Sequence, residues 1–399
     1  MSGGQPIRSS LLVFGAPLIG EEEIAEVVDT LRSGWIGFGP KSLRLEKEFA
    51  EYIGCRHAIS LSSCTAGLQL ALVVSGVGPG DEVITTPLTF AATVNAIELA
   101  GAKPVLVDVD RTTHNLDCDQ VDQAITPRTK AILPVHMAGR PCDMDRITAT
   151  AQRHGLTVVE DAAHAVEASF RGRKVGTLSL MTVFSFYATK TLTTAEGGML
   201  TTDDDDLAER LRRLRLHGLS ADAWARYNGT GNHQYEVIEP GFKCNFTDLQ
   251  ASLGLHQLAR LGDNLASRAA QWEAYDRAFG TIDALECPAP PAPGDVHARH
   301  LYTLLVRPDA LGADRDLFLQ ALWSENIGVG VHFKPVHLHP YYRDRYGYGP
   351  GMFPNAEEIG ARTTSLPLSA RLSEADVDDV IAAVHKVSEA LCRVSNAYT

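Results

Sequence analysis

Apolar residues recur at two different spacings along this chain, and the change of spacing divides it into segments. Residues 21–32 and 41–53 carry apolar positions every three or four residues, which predicts two amphipathic helices around the glycine-rich turn GWIGFGP. Short apolar runs then predict strands at 57–61, 82–86, 103–109, 130–136, 157–161, 181–187 and 198–201. Helical segments between them lie at 65–74, 90–100, 119–124 and 143–153. This alternation predicts a mainly parallel sheet with helices on both faces.

The last third of the chain has a different pattern. Helices are predicted at 207–216 and 250–279, and the second is followed by the proline-rich segment CPAPPAPG, which cannot continue a helix. We therefore expect a large domain of residues 1–285 and a small C-terminal domain of residues 286–399. The small domain should be α+β, with strands at 301–306 and 328–333 and helices at 315–325 and 373–391.

Charge and composition narrow the classes of function. The 399 residues include 36 Lys and Arg against 49 Asp and Glu, a formal net charge of -13. A nucleic-acid surface needs clustered cations, so no nucleic-acid partner is expected. The sequence lacks a signal-peptide pattern and any run of roughly 20 apolar residues, so we expect a cytoplasmic protein without membrane contact. Seven cysteines without a CxxC spacing predict reduced thiols.

Two segments supply candidate chemistry at predicted strand ends. In VVEDAAHA, Asp161 ends a strand and His164 follows three residues later. In FSFYATKTLTTAEGGM, Ser185 and Lys190 follow another strand. An amine for an aldehyde, and an acid that keeps a pyridine nitrogen protonated, are what a pyridoxal-phosphate site requires. A single lysine is usually a charged surface residue. The hypothesis of a pyridoxal-phosphate site therefore depends on these residues occurring together and in this order.

A third segment, LSSCTAGLQLAL, places Ser62, Ser63 and Thr65 where a strand gives way to a helix. Free amides and hydroxyls at a helix start can bind a phosphate, although taken alone an ordinary N-cap is the more frequent role. Phe90 comes just after the next strand. It can stack on a pyridine ring or belong to the core.

Seven segments in order resemble one family across nearly the whole chain. They are SSCTAGL, TPLTFAAT, PVHMAGRPCDMD, VVEDAAHA, SFYATKTLTTAEGGM, GFKCNFTDLQASLGLHQL and VHFKPVHLHPYY. This set resembles the DegT/DnrJ/EryC1/StrS family of sugar aminotransferases. The resemblance implies an aspartate aminotransferase-like fold (fold type I), whose large domain has a mainly parallel seven-stranded sheet sandwiched by helices, and a smaller C-terminal α+β domain. It also implies pyridoxal 5'-phosphate as cofactor, pyridoxamine phosphate during turnover, and a homodimer with composite active sites.

The resemblance assigns roles to individual residues. Lys190 is the Schiff-base lysine and proton shuttle, and Asp161 pairs with the pyridine nitrogen. His164 contacts the 3-oxygen of the cofactor or supports Asp161. The remaining cofactor contacts it implies are the Cys64 backbone, Thr65 and Ser185 at the phosphate, Phe90 on the ring, and Asn245 at the phosphate of the neighbouring subunit. Without the resemblance, Asn245 is equally well a helix N-cap and Ser185 a buried strand hydroxyl.

The sequence departs from the family pattern at a few positions. Cys64 stands where glycine is frequent, Gly67 where alanine is frequent, and Ala195 where a glycine is common. None of these removes a functional group. The order Gly-Phe-Lys-Cys-Asn at 241–245 resembles the members that aminate sugar C4 rather than C3.

The residues that bind the acceptor, the substrate that receives the amino group, are indicated mainly by the resemblance. Residues 331–349 are dense in His, Tyr and basic side chains, and by resemblance they line the sugar-nucleotide cleft together with residues 215–227. The candidate substrate-binding residues are Trp35, His217, Lys243, His332, Lys334 and His337. The cluster of His332, Lys334, His337 and His339 could instead suggest a metal site. The predicted strand and the proline-broken turn do not give the compact ligand spacing of a known metal motif, so no metal is expected. The expected substrates are L-glutamate and a dTDP- or UDP-linked 4-keto-6-deoxyhexose.

Several alternatives stay open at the level of sequence. A keto-cyclitol or a C3 keto sugar can replace the expected acceptor, and the nucleotide and the sugar stereochemistry are not determined. A dehydratase relative would carry histidine in place of Lys190. A non-catalytic sugar-nucleotide-binding protein on the same fold need not keep both Lys190 and Asp161. A Rossmann dehydrogenase is disfavoured because no GxGxxG turn follows the first strand.

Overall fold

The structure is a computed structural model that describes residues 4–220 and 235–396. Its helices are α1 (Glu21–Ser33), α2 (Pro40–Ile53), α3 (Cys64–Val74), α4 (Ala91–Leu99), α5 (Cys118–Ala124), α6 (Met144–His154), α7 (Asp205–Leu214), α8 (Asp248–Ala259), α9 (Leu261–Phe279), α10 (Pro308–Leu311), α11 (Arg315–Ser324), α12 (Pro340–Tyr346), α13 (Pro354–Arg362) and α14 (Glu374–Asn396). Its strands are β1 (His57–Leu61), β2 (Glu82–Thr85), β3 (Lys103–Leu106), β4 (Thr129–Ile132), β5 (Thr157–Asp161), β6 (Ser169–Phe170), β7 (Arg173–Lys174), β8 (Met181–Ser185), β9 (Gly198–Thr202), β10 (Leu285–Glu286), β11 (Tyr302–Val306) and β12 (Thr363–Leu366).

The main sheet has seven strands in the order β1-β9-β8-β5-β4-β2-β3. The pairs from β8 to β3 are parallel, whereas β9 runs antiparallel to both β8 and β1. Every run of sequence that predicted a strand before residue 202 contributes a strand to this sheet. The predicted mixed α/β fold with a mainly parallel seven-stranded sheet is therefore confirmed.

The sheet is buried on both faces because its strands are apolar on both faces. Leu45, Phe49 and Phe184 belong to the core on one side. Leu68 and Leu72 of α3 belong to the core on the other side, where α3 packs against α4, α7 and the central strands. Helix α3 is apolar around most of its circumference, as expected for a helix enclosed by other elements.

A smaller antiparallel sheet, β10-β11-β12, packs with α9, α11 and α14 around a separate core. The N-terminal segment reaches this region, where Leu12 pairs with Ile327. Strand β10 lies at the expected domain boundary, and the division after residue 285 stays a prediction. No helix in the described ranges is long and apolar enough to cross a lipid bilayer.

Two expected elements are wrong. The single helix predicted at 250–279 is two helices, because the backbone leaves helical geometry at Arg260 with φ -101° and ψ 3°. The strand predicted at 328–333 does not form. Gly328 donates to the carbonyl of Leu12, and Gly330 makes only an isolated bridge to Ser365 of β12. The neighbour that pairs with β11 is instead β12, a short strand that the sequence pattern did not reveal.

Candidate active site

The carboxyl ends of β5 and β8 open onto a cavity of about 480 Å³. Asp161 is the last residue of β5 and Ser185 the last of β8. The ends of neighbouring parallel strands meet at one sheet edge, where α/β proteins bind ligands. A cavity of this volume is within the range of small-molecule and cofactor sites.

Asp161 is held at this edge by hydrogen bonds to both carboxylate oxygens. Oδ2 accepts from the Thr93 hydroxyl at 2.8 Å, and Oδ1 accepts from the Ala163 amide at 3.1 Å. Burial raises the pKa of Asp161, while the hydrogen bond from Thr93 acts in the opposite direction. A buried carboxylate with ordered donors offers a fixed negative charge to a cationic group in the cavity.

Lys190 follows β8 in a turn in which its amide donates to the carbonyl of Tyr187 at 2.9 Å. Its side chain lines the same cavity as Asp161. Burial lowers the pKa of Lys190 from 10.5 to about 8. A substantial fraction of the amine is therefore neutral near physiological pH, as a nucleophile or a general base requires.

His164 is buried beside Lys190 and has a defined tautomer. Its Nδ1 lies 3.2 Å from the amide nitrogen of Ala138, which can only donate. Nδ1 must therefore be the acceptor, and the proton of the neutral ring is on Nε2. Burial lowers the pKa of His164 well below 6.5, so the ring stays neutral and offers one N–H donor.

The N-terminus of α3 forms another wall of the cavity. Ser63 caps this helix by accepting from the Ala66 amide at 3.1 Å, and Cys64 and Thr65 are its first residues. First-turn amides have no partner within a helix and attract anions. Gly198 of β9 runs against this turn so closely that a Cβ there would lie 2.6 Å from the Cys64 amide nitrogen. Its lack of a side chain lets the strand and the helix start approach each other.

The sequence of residues 17–385 matches the profile of the DegT/DnrJ/EryC1/StrS aminotransferase family. This chain belongs to that family. As a member, it is a sugar aminotransferase that depends on pyridoxal phosphate.

Relatives from several organisms resemble this aminotransferase over nearly their full lengths. The spore coat polysaccharide biosynthesis protein SpsC of Bacillus subtilis is 52% identical over 381 residues, which cover 95% of this chain and 98% of that protein. The structure of the putative sugar aminotransferase Spr1654 from Streptococcus pneumoniae in its PMP form has a TM-score of 0.90 at 36% identity, covering 97% of this chain and 100% of that one. DesI in the presence of its TDP-sugar product has a TM-score of 0.86 at 30% identity, covering 99% and 96%.

The cavity of the aminotransferase has the donors and charges that pyridoxal phosphate needs. The helix start at Cys64 and Thr65 and the Ser185 hydroxyl suit a phosphate, and Asp161 suits a protonated pyridine nitrogen. The Nε2–H of His164 can donate to a ring oxygen. Lys190 supplies the amine. The residues predicted to hold the cofactor from within one subunit therefore border one cavity.

Phe90 and His332 also border the cavity. Phe90 is 62% exposed, and its ring centroid lies 6.0 Å from that of Phe333. The Nδ1 of His332 is 2.8 Å from the Ser365 hydroxyl, and the ring stacks on Phe14. Both rings are placed where a cofactor ring or a sugar can contact them, and their roles stay predictions.

The other predicted site residues do not border this cavity within one chain. The Asn245 side chain accepts from Lys243 Nζ at 2.5 Å and donates to the Phe246 carbonyl at 3.0 Å. His337 is fully buried, with Nε2 3.0 Å from Glu357 Oε1. Three further predicted residues, Trp35, His217 and Lys334, are exposed. Part of the predicted cleft segment 215–227 lies outside the described residues.

Thr93, His300 and Phe333 are among the cavity residues that the sequence analysis did not name. Thr93 lies one helical turn after Phe90 in the segment TPLTFAAT, so helical spacing was a usable signal. His300 and Phe333 come from the far end of the chain and only folding brings them here. Among residues 4–220 and 235–396, no group of three His, Cys, Asp or Glu side chains is arranged to hold a metal ion.

Proposed function

We propose that this enzyme transfers the amino group of L-glutamate to a dTDP- or UDP-linked 4-keto-6-deoxyhexose, giving a 4-amino sugar nucleotide for a glycan or a glycoside. The catalytic part of this proposal rests on one observation, which is that the side chains of Lys190, Asp161 and His164 line the same cavity. A binding protein would have no need of a buried lysine whose pKa is lowered toward neutrality.

Each residue has a task in this reaction. Bound pyridoxal phosphate supplies an electron sink that makes the proton on the amino-bearing carbon acidic. Lys190 accepts that proton as a neutral amine and returns it during the second half of the reaction. The Asp161 carboxylate keeps the pyridine nitrogen protonated, and the N–H of His164 fixes the orientation of the ring. Ser185 and the start of α3 hold the phosphate end.

Three features support a nucleotide-linked keto sugar as acceptor. DesI, one of the similar structures, was solved with a TDP-sugar product. SpsC takes its name from polysaccharide biosynthesis. The sequence Gly-Phe-Lys-Cys-Asn at 241–245 resembles the C4-aminating members.

A homodimer with composite sites is part of this proposal. Asn245 is predicted to reach a phosphate but does not border the cavity of its own chain. Several apolar side chains of α1 and the turn that follows it are exposed, namely Ile24, Val28, Leu31, Trp35 and Ile36. An exposed apolar patch of this kind is typical of a subunit interface. We place the enzyme in the cytoplasm on the sequence pattern alone.

The test is an absorption titration of the purified enzyme with pyridoxal phosphate. We expect a band of the lysine-bound cofactor that L-glutamate bleaches and a nucleotide-linked 4-keto sugar restores. Lys190→Ala should abolish turnover, whereas Lys130→Ala, which removes an exposed lysine of β4, should not. If a keto-cyclitol or a 3-keto sugar restores the band and the 4-keto sugar does not, the proposed acceptor is wrong and that compound takes its place. A protein that binds the sugar nucleotide but shows no glutamate-dependent change would be a binding protein.

A further inference from the structure

A second, smaller pocket also borders Lys190. Its volume is about 30 Å³, and of the residues that the structure describes, Thr189, Lys190 and His300 line both spaces. The remaining lining comes from residues 15–18 of the N-terminal segment, from Thr191, from α8 and α9, and from residues 368–370. A space of this size holds about one or two water molecules.

Polar groups without hydrogen-bond partners face this pocket. Asn264 of α9 is 5% exposed and His300 is 6% exposed. Within the described ranges, neither side chain makes a hydrogen bond to the protein. The Ser369 hydroxyl is also buried without a partner in that part of the chain. Buried polar groups are nearly always hydrogen-bonded, so the Ser369 hydroxyl requires a ligand. The Asn264 and His300 side chains line the same pocket and offer further donors and acceptors to that ligand.

The charges around the pocket select a neutral ligand. Arg268 borders it but is already paired with the buried carboxylate of Glu167. Among the described residues that line it, none is Asp or Glu, so a cation has no counter-charge from them. An amino acid or a sugar is far too large for the volume. Water fits the size and offers two donors and two acceptors.

The Lys190 amine needs such a ligand. The described part of the chain supplies it with no hydrogen bond, although an ammonium has three protons to donate. Substrate in the large cavity displaces water from that side. A charged amine then loses its hydration unless the smaller pocket still supplies it.

We propose that this pocket is an internal water site, with Asn264, His300 and Ser369 as its ligands, that hydrates the Lys190 amine while the large cavity is occupied. The inference rests on the proposed role of Lys190 and is independent of the identity of the acceptor. Asn264 and Ser369 are positioning residues, because they act on Lys190 through the water.

The test is the pH dependence of Lys190 carbamoylation by cyanate in the enzyme loaded with pyridoxamine phosphate, a form in which the lysine is free. Cyanate reacts only with the neutral amine, and peptide mass spectrometry reports the modified fraction. Asn264→Leu fills the pocket and expels the water. Loss of a hydrogen bond to a charged group should lower the midpoint pH of carbamoylation by about one unit. Ser369→Ala should shift it in the same direction by less.

Ser388→Ala is the matched control, because its hydroxyl is likewise buried without a partner in the described residues but borders neither pocket. It should leave the midpoint unchanged. A crystal structure of the wild type should show ordered water between Lys190, Asn264 and Ser369, and Asn264→Leu should remove it. A dry wild-type pocket, or unchanged midpoints in both pocket variants, overturns the proposal. If Asn264→Leu does not fold, the Ser369→Ala midpoint decides. No sugar is used, so this test can fail while the proposed function holds.

Discussion

The Thr93 hydroxyl donates to Oδ2 of Asp161 across 2.8 Å, and this contact joins the first turn of α4 to the end of β5. Thr93 has one proton to donate, so Thr89, whose oxygen is 2.7 Å away, must donate to Thr93. A chain of two hydroxyls therefore stabilises the charged form of a buried carboxylate. The negative charge of Asp161 therefore depends on the hydroxyls of both Thr93 and Thr89.

Thr93→Val keeps the shape of the side chain and removes the donor. Because the hydrogen bond lowers the pKa of Asp161, its loss should raise that pKa further and weaken the charge that faces the cofactor. Loss of a hydrogen bond to a charged group costs about 1.5–3 kcal/mol of stabilisation of that charge, so kcat should fall by about tenfold or more. Steady-state kinetics with L-glutamate measures the effect.

Thr89→Val should have a smaller effect of the same sign, because Thr89 acts only through Thr93. Thr202→Val is the control, since its hydroxyl donates to the Leu180 carbonyl away from the cavity. Equal activities of wild type and Thr93→Val would contradict a role of Thr93 in holding the charge.

The rate of the glutamate half-reaction should rise with pH. The Lys190 amine acts as a base only when neutral, and burial lowers its pKa to about 8. The single-turnover rate should therefore increase as the pH rises toward about 8 and level off above it. The rate should show no separate change near pH 6.5 from the titration of His164, because burial lowers the pKa of His164 well below that value. A bell-shaped profile with an acid limb near pH 6.5 would contradict this assignment.

The partly buried side chain of His114 should make the fold sensitive to mild acid. Burial lowers the pKa of His114 from 6.5 to about 4. Between these values the unfolded chain binds a proton that the folded chain does not, so stability is lost as the pH falls below about 6.5. At pH 5 the loss is about 2 kcal/mol for this residue.

His114→Asn should remove that contribution. Asparagine tolerates the positive φ of 62° at this position, so the backbone is kept. Urea unfolding at pH 7 and pH 5 measures the two free energies. Their difference should shrink by about 2 kcal/mol in the variant, and an unchanged difference would show that folding does not lower the pKa of His114.

Gly198→Ala should damage the cofactor site. The new Cβ would lie 2.6 Å from the Cys64 amide nitrogen and 2.9 Å from the Phe184 carbonyl oxygen, which are backbone atoms that cannot rotate away. Overpacking of this kind costs about 1–3 kcal/mol. We expect a lower Tm and weaker pyridoxal-phosphate binding, measured by thermal unfolding and by absorption titration. Gly262→Ala, which meets no atom within 4 Å, should be neutral or slightly stabilising.

The sequence by itself determined the alternation of strands and helices, and with it the sheet and the edge at which Asp161 and Ser185 lie. These features follow from local patterns, because a strand buried on both faces needs a short continuous apolar run. The order of the motifs also identified the family before any contact was known. Lys190 is predicted in the same way, since it lies in the turn that follows strand β8 of that sheet.

Only the tertiary structure decided what surrounds those residues. His300 and Phe333 enter the cavity from the last third of the chain, and no periodicity relates them to residues as distant in sequence as Asp161 and Lys190. Gly330 lies beside β12 without forming a strand, since it makes only an isolated bridge there. The break at Arg260 is likewise absent from the apolar pattern, which continues through it. Local spacing specifies which face of an element is buried, whereas packing against distant elements specifies the partner, the charge and the hydration of each site residue.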